Sequence, residues 1–221
     1  MVAGRFRAVL FDLDGTLADT APDLVGSLNR LRLVRQLAAL DESELRPLVT
    51  RGAAGLIEAG FGSLPADQFE ALRGEFLEHY RANLWVHSRG FPGIDSLLGQ
   101  LKMAGLSLGI VTNKIESLAE PVVKQAGWHH LFGCLVAGDT TERSKPDPMP
   151  VVEACRRLNM VPGETVFVGD DRRDVLAGKS AGCYTVVASW GYIDEPDSIA
   201  AWNADAIIDH PSELIGLLEI D

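Results

Sequence analysis

Cysteine is scarce in this sequence: Cys134, Cys155 and Cys183 are its whole complement. An odd number without paired spacing gives neither a disulfide framework nor a zinc knuckle, and fits three small apolar fillers in a reducing compartment. Positive charge is also in deficit. Twenty Lys and Arg stand against thirty-one Asp and Glu, a net charge of −11 with a pI near 4.9. Sequence-independent binding to nucleic acid or to an anionic bilayer is built from Lys and Arg contacts to phosphate, so neither is an expected partner. No apolar run approaches the roughly 20 residues of a membrane span. The short apolar stretch near the N-terminus runs straight into Asp12, so it does not read as a signal peptide. The expected location is cytoplasmic. If the protein handles phosphate, something other than bulk charge must attract it, and a divalent metal is the obvious means.

What is present is an ordinary globular composition, 47% hydrophobic and 23% charged over 221 residues, enough for one large domain or two small ones. Short apolar runs ending in Gly, Asp, Thr or Asn recur at Ala8–Phe11, Leu106–Val111, Cys134–Ala137, Val166–Val168, Thr185–Ala188 and Ala206–Ile208. Their length and their Val and Ile content suit buried parallel strands. Helical patterns fall between them, at Ile94–Ala104, Glu116–Ala126, Pro148–Leu158, Asp174–Ala181 and Ser212–Leu218. That alternation predicts an open α/β sheet. From about Pro22 to His87 the alternation stops and only helical periodicity remains, clearest where Phe69, Leu72, Phe76, Tyr80 and Leu84 recur at spacings of three and four. Another helix is expected from Pro22, with shorter ones at Leu45–Val49 and Ala53–Ala59. An insert of roughly 65 residues is too long for a loop and reads as a second, all-helical unit.

The most informative string is Phe11-Asp12-Leu13-Asp14-Gly15-Thr16-Leu17. A buried strand ends in two carboxylates at i and i+2, which project to one side, outside the carboxyl end of a parallel strand, where open α/β sheets bind ligands. Close carboxylates repel unless a cation or a shared proton separates them. Oxygen donors favour a hard cation, and Mg²⁺ typically takes one or two carboxylates, waters and a phosphate oxygen. An EF-hand loop would need Gly at its sixth position and Glu at its twelfth, where this chain has Leu17 and Asp23. Three more strings join it. Val111-Thr112-Asn113-Lys114 offers a hydroxyl and an amide before a helix. Ser144-Lys145-Pro146-Asp147-Pro148 offers one lysine. Val168-Gly169-Asp170-Asp171-Arg172-Arg173-Asp174 offers three acids. Singly they read as a helix cap, a turn and a charged helix entry. Jointly they bring metal-binding acids, a nucleophile, a hydroxyl cradle and a cation to one edge of the sheet.

In order and spacing these strings resemble the motifs of the haloacid dehalogenase superfamily of phosphohydrolases, over essentially the whole chain. The resemblance implies a Rossmann-like α/β core at residues 1–18 and 89–221 and a small helical C1 cap at 19–88. Its closest branch is the phosphoglycolate phosphatase group, given Asp-Thr-Ala-Pro-Asp at 19–23, with the N-acetylmuramic acid 6-phosphate phosphatases as a sister branch. It implies Asp12 as nucleophile, Asp14 as general acid and base, and Lys145 as the cation on nucleophile and phosphate. Thr112 and Asn113 would hold the phosphoryl group. Mg²⁺ would sit on Asp12, Asp14 through its carbonyl, Asp170 and Asp174, with Asp171 as an alternative ligand because this chain reads Gly169-Asp170-Asp171 where the family has Ser or Thr third. Arg51, at a turn of the cap, would reach an anionic substrate group. The implied substrate is a small phosphorylated metabolite, 2-phosphoglycolate first and a muramic acid or other sugar phosphate second, and the implied assembly is a monomer or homodimer. A phosphonatase needs a Schiff-base lysine in the cap, and no lysine lies between Asp23 and His87. A phosphomutase and a non-catalytic phosphate-binding protein are the remaining alternatives.

Overall fold

The computed structural model describes residues 5–194 and 196–220. Six parallel strands form the central sheet: β1 (Ala8–Phe11), β4 (Ser107–Val111), β5 (Cys134–Val136), β6 (Thr165–Gly169), β7 (Tyr184–Ala188) and β8 (Ala206–Ile208), in the order β5-β4-β1-β6-β7-β8. Every residue of β1 and β6 is buried, as expected of strands covered on both faces. The covering helices are α5 (Ile94–Met103), α6 (Glu116–Gln125), α7 (Met149–Leu158), α8 (Arg172–Ala181) and α9 (Glu213–Leu217). β1 pairs with β4 on one side and β6 on the other, Phe11 lying opposite both Ile110 and Val168. The chain therefore winds outward in both directions from β1. The carboxyl ends of β1, β4 and β6 meet at this reversal of strand order, the place where such sheets take ligands.

Two further strands of two residues each, β2 (Ala18–Asp19) and β3 (Arg89–Gly90), pair antiparallel. Between them lie α1 (Ala21–Val34), α2 (Glu42–Leu45), α3 (Gly52–Phe61) and α4 (Ala66–Ala82). Leu72, Phe76 and Tyr80 form the buried stripe of α4, which packs on α1 and α3. Full burial of one such side chain stabilises by about 1.5–3 kcal/mol. Arg46–Arg51, which takes in most of the short α-helix expected at Leu45–Val49, forms a 3-10 turn instead. Pro47 lacks the N–H an interior helical turn requires.

The two chain crossings between sheet and helices are fastened by one buried carboxylate. Asp23, in the first turn of α1, accepts from the backbone N–H groups of Val86, His87 and Ser88 and from the Ser88 hydroxyl. All three cysteines are buried and free. Among the described residues no helix is long and apolar enough to cross a membrane.

Candidate active site at the sheet edge

Asp12 is the first residue past β1, held there by the bond from its own N–H to the Val168 carbonyl. One carboxylate oxygen from each of Asp12, Asp170 and Asp174 falls within 4.8 Å of the other two. Asp170 directly follows β6 and Asp174 lies in the first turn of α8, and both are buried. Burial, reinforced by the charges of Asp12 and Asp174, pushes the Asp170 carboxyl well above its ordinary range. Burial also raises Asp174, to about 7, with Asp12 and Asp171 adding to the rise and Lys145 opposing it. Asp174 Oδ1 takes no hydrogen bond of ordinary geometry and lies in ion-pair contact with Lys145 Nζ at 2.6 Å. Crowded buried carboxylates, an oxygen lacking a hydrogen-bond donor and an all-oxygen donor set are what a hard divalent cation requires. These residues fit such a cation.

Asp171 stands apart from the cluster. It is the N-cap of α8, accepts from the Arg173 N–H, and closes a capping box with Asp174, whose Oδ2 accepts from the Asp171 N–H. Its carboxylate also pairs with the Arg173 guanidinium. Helix capping therefore claims the extra acid of the fourth string. The Asp14 carboxylate is not in the cluster either. Its Oδ1 accepts from Thr20 Oγ1 and, at 2.8 Å, from Lys114 Nζ.

Lys145 is buried and reaches three acceptors: Asp12 at 2.9 Å, Asp174, and the Val111 carbonyl at 2.9 Å. Burial alone would depress its ammonium, yet Asp12 and Asp174 outweigh burial and hold it above its usual range. Asn113 lines the cavity beside Thr112. Its Oδ1 accepts from the Lys145 N–H and its Nδ2 donates to the Lys145 carbonyl, so its side-chain amide clamps the lysine loop. Thr112 Oγ1 accepts from the Lys114 N–H, which leaves the hydroxyl proton for a ligand.

Two glycines make room for Asp170. Gly15 has φ +87°, and a Cβ built there collides with Asp170 Oδ2, while at Gly191 a Cβ meets Asp170 Cβ. Gly15→Ala is expected to destabilise by about 2–4 kcal/mol, summing the left-handed backbone and the overpacking, or roughly 5–15 °C in melting temperature. It should also blunt the stabilisation by a divalent cation. Thermal denaturation with and without the cation measures both, and two unchanged values would show that Gly15 does not confine Asp170.

The edge opens into a cavity of about 370 Å³ between sheet and helical insert, with Asp12, Asp14, Thr112 and Lys145 at its floor. Its roof includes Val49, Phe76, Leu77 and Tyr80, together with Arg51 and Arg73. Arg51 forms an ion pair with Asp194, and Arg173 donates to the Thr50 carbonyl, so both tie insert to core. Lys114 and Tyr80 were within reach of sequence reasoning only as members of a string and of an apolar stripe. Nothing local marks their contact with each other or with Asp14.

The sequence also has close relatives. It is 44% identical to the N-acetylmuramic acid 6-phosphate phosphatase of Pseudomonas aeruginosa, over 97% of this chain and 96% of that one. It is 41% identical to the phosphoglycolate phosphatase of Xanthomonas campestris pv. campestris, over 94% of each. The crystal structure of a predicted phosphoglycolate phosphatase from Haemophilus somnus superposes with a TM-score of 0.86 at 30% identity, covering 97% of this chain and 99% of that one. With residues 9–188 matching the family as a whole, the chain belongs to the haloacid dehalogenase-like hydrolases.

Proposed function

We propose that the protein is a Mg²⁺-dependent phosphomonoesterase of the cytoplasm that works through an aspartyl-phosphate on Asp12. The observation that carries this reading is the Asp12 carboxylate on the cavity floor, 2.9 Å from a buried ammonium and beside two buried acids. Asp12, Asp170 and Asp174, with the Asp14 carbonyl as a further ligand, would hold the metal, which would supply positive charge to the phosphoryl oxygens. An Asp12 oxygen attacks phosphorus as the bond to the substrate alkoxide breaks, and Asp14 donates the proton that the alkoxide takes up. Asp14 then takes a proton from the water that attacks the same phosphorus, and the bond to Asp12 breaks to release phosphate. Thr112 and Lys145 hold the phosphoryl oxygens in line. Residues 19–88 act as a mobile cap whose closure excludes water. One chain holds every residue named, so a monomer or a homodimer can work.

The substrate reading follows from size. A cavity of 370 Å³ lies within the roughly 300–1,000 Å³ of pockets that bury drug-sized ligands, and its roof is largely apolar. That favours a sugar phosphate carrying a carboxylate, N-acetylmuramic acid 6-phosphate as for the Pseudomonas relative. The Xanthomonas relative supports 2-phosphoglycolate as the second reading, with Arg51 or Arg73 facing the carboxylate in either case. In a side-by-side assay with and without Mg²⁺, kcat/KM on the muramic acid ester should exceed that on 2-phosphoglycolate by at least about 10-fold, the order expected of added apolar contact. The reverse ranking would hand the site to the smaller acid, and no Mg²⁺-dependent phosphate release from either would remove the proposal.

A further inference from the structure

Each aspartate of the first string has its own lysine. Lys145 serves Asp12; Lys114 serves Asp14 at 2.8 Å. The backbone of Lys114 is pinned at both ends, its N–H donating to Thr112 Oγ1 and its carbonyl accepting from the Gly138 N–H. Its side chain is almost fully buried, and its Nζ also donates to Tyr80 OH at 2.9 Å, with the ammonium 4.6 Å from the centre of the Tyr80 ring. Tyr80 belongs to α4 and stacks on Phe76, so the hydroxyl that completes the ammonium's surroundings comes from the helical insert.

The contacts divide the two oxygens of Asp14. Oδ1 is taken by Lys114 and Thr20, whereas Oδ2 has no partner among the described residues, and the side chain lines the cavity. Oδ2 is therefore the oxygen left to face a leaving alkoxide. Burial, eased by Lys114, raises the Tyr80 phenol to about 12, so the hydroxyl stays protonated and accepts from the ammonium.

We infer that Lys114 is a positioning residue that fixes the orientation of Asp14 for proton transfer, and that Tyr80 makes this orientation depend on where the insert sits over the core. The inference rests on the acid–base role given to Asp14 above. It requires that losing Lys114 harms those steps in which Asp14 moves a proton and largely spares those in which it does not.

Leaving groups separate the two. An alkyl phosphate needs its departing oxygen protonated, whereas 4-nitrophenolate leaves unaided. Lys114→Met should lower kcat/KM about 100-fold on an alkyl ester, the lower end of a general-acid contribution, and less than about 10-fold on 4-nitrophenyl phosphate. Hydrolysis of the aspartyl-phosphate still needs Asp14 as base, so the variant should give a burst of 4-nitrophenolate stoichiometric with enzyme. Tyr80→Phe removes only the hydroxyl and should show the same pattern more weakly, about 5-fold against 2-fold. It serves alone if Lys114→Met does not fold. In an Asp14→Asn background Lys114→Met should cost almost nothing further, as for residues acting as one unit. Equal losses on both esters would overturn the inference, pointing to a structural role or to direct contact with the substrate anion. If Asp14→Asn itself fails to discriminate between the esters, the acid–base reading falls and takes this inference with it. If Asp14→Asn discriminates and Lys114→Met does not, the inference alone falls.

Discussion

Asp12→Asn is expected to lower turnover by at least about 10⁴-fold, the scale of a lost nucleophile, while leaving the metal-free protein as stable as before or more so. An amide of the same shape keeps an oxygen to accept from the Leu13 N–H, which now donates to Asp12 Oδ1 at 2.7 Å, but it carries no charge with which to attack phosphorus. The stability half follows from the charge count at the sheet edge. One ammonium, Lys145, faces both Asp12 and Asp174, and Asp170 is buried beside them. Asp12 is among the charges that push Asp170 and Asp174 above their ordinary range, so neutralising it relieves repulsion. The melting temperature without divalent cation should stay level or rise by a few degrees, and the further rise on adding Mg²⁺ should shrink because a ligand is gone. Residual activity above about 1% would remove Asp12 from the nucleophile role. A drop of more than about 10 °C would mean that its bond to Lys145 outweighs the repulsion.

Sheet and floor were legible in the sequence because each depends on neighbours in the chain. A run such as Ala8–Phe11 is buried on both faces and shows it by composition. The acids that end β1 and β6 and the lysine before α7 sit in strings whose spacing can be read directly. What escaped depends on contacts between distant segments. Asp23 gathers three N–H groups more than sixty residues away, and nothing around it in sequence distinguishes it from a first-turn acid that merely favours a helix N-terminus. The Asn113 side chain grips the lysine loop, a partnership set by β4 and β5 lying side by side. β2 and β3 are two residues each, too short for any period to register. Asp171 and Asp174 both read as possible metal ligands in the sequence, and the capping box that joins them forms only once α8 is in place. The pairing of Lys114 with Asp14 spans one hundred residues.

Lys145→Met should be the most destabilising single change at the site, because it removes the ammonium that pairs with both Asp12 and Asp174 from a cluster that remains buried. Met matches the length and the apolar stem, including the face that Lys145 presents to the Phe167 ring 5.5 Å from its Nζ, so packing is largely kept and the effect is electrostatic. Two carboxylates lose their ion-pair partner and the Val111 carbonyl loses its donor together. Breaking a buried ion pair from one side costs about 3–5 kcal/mol, or roughly 6–20 °C in a domain of this size. Activity should fall about 10³-fold, since in the proposed mechanism the ammonium also faces the charge that develops on the phosphoryl oxygens. Two further measurements separate lost charge from lost shape. Saturating Mg²⁺ should recover part of the melting temperature, because it supplies positive charge to the same carboxylates. Lys145→Met combined with Asp174→Asn should recover at least half of the lost stability without recovering activity, because the second change removes the buried charge that the first left unpaired. If the double variant melts no higher than the single one, the destabilisation comes from packing around the lysine stem, and the charge of Lys145 does not hold the acids together as the distances describe.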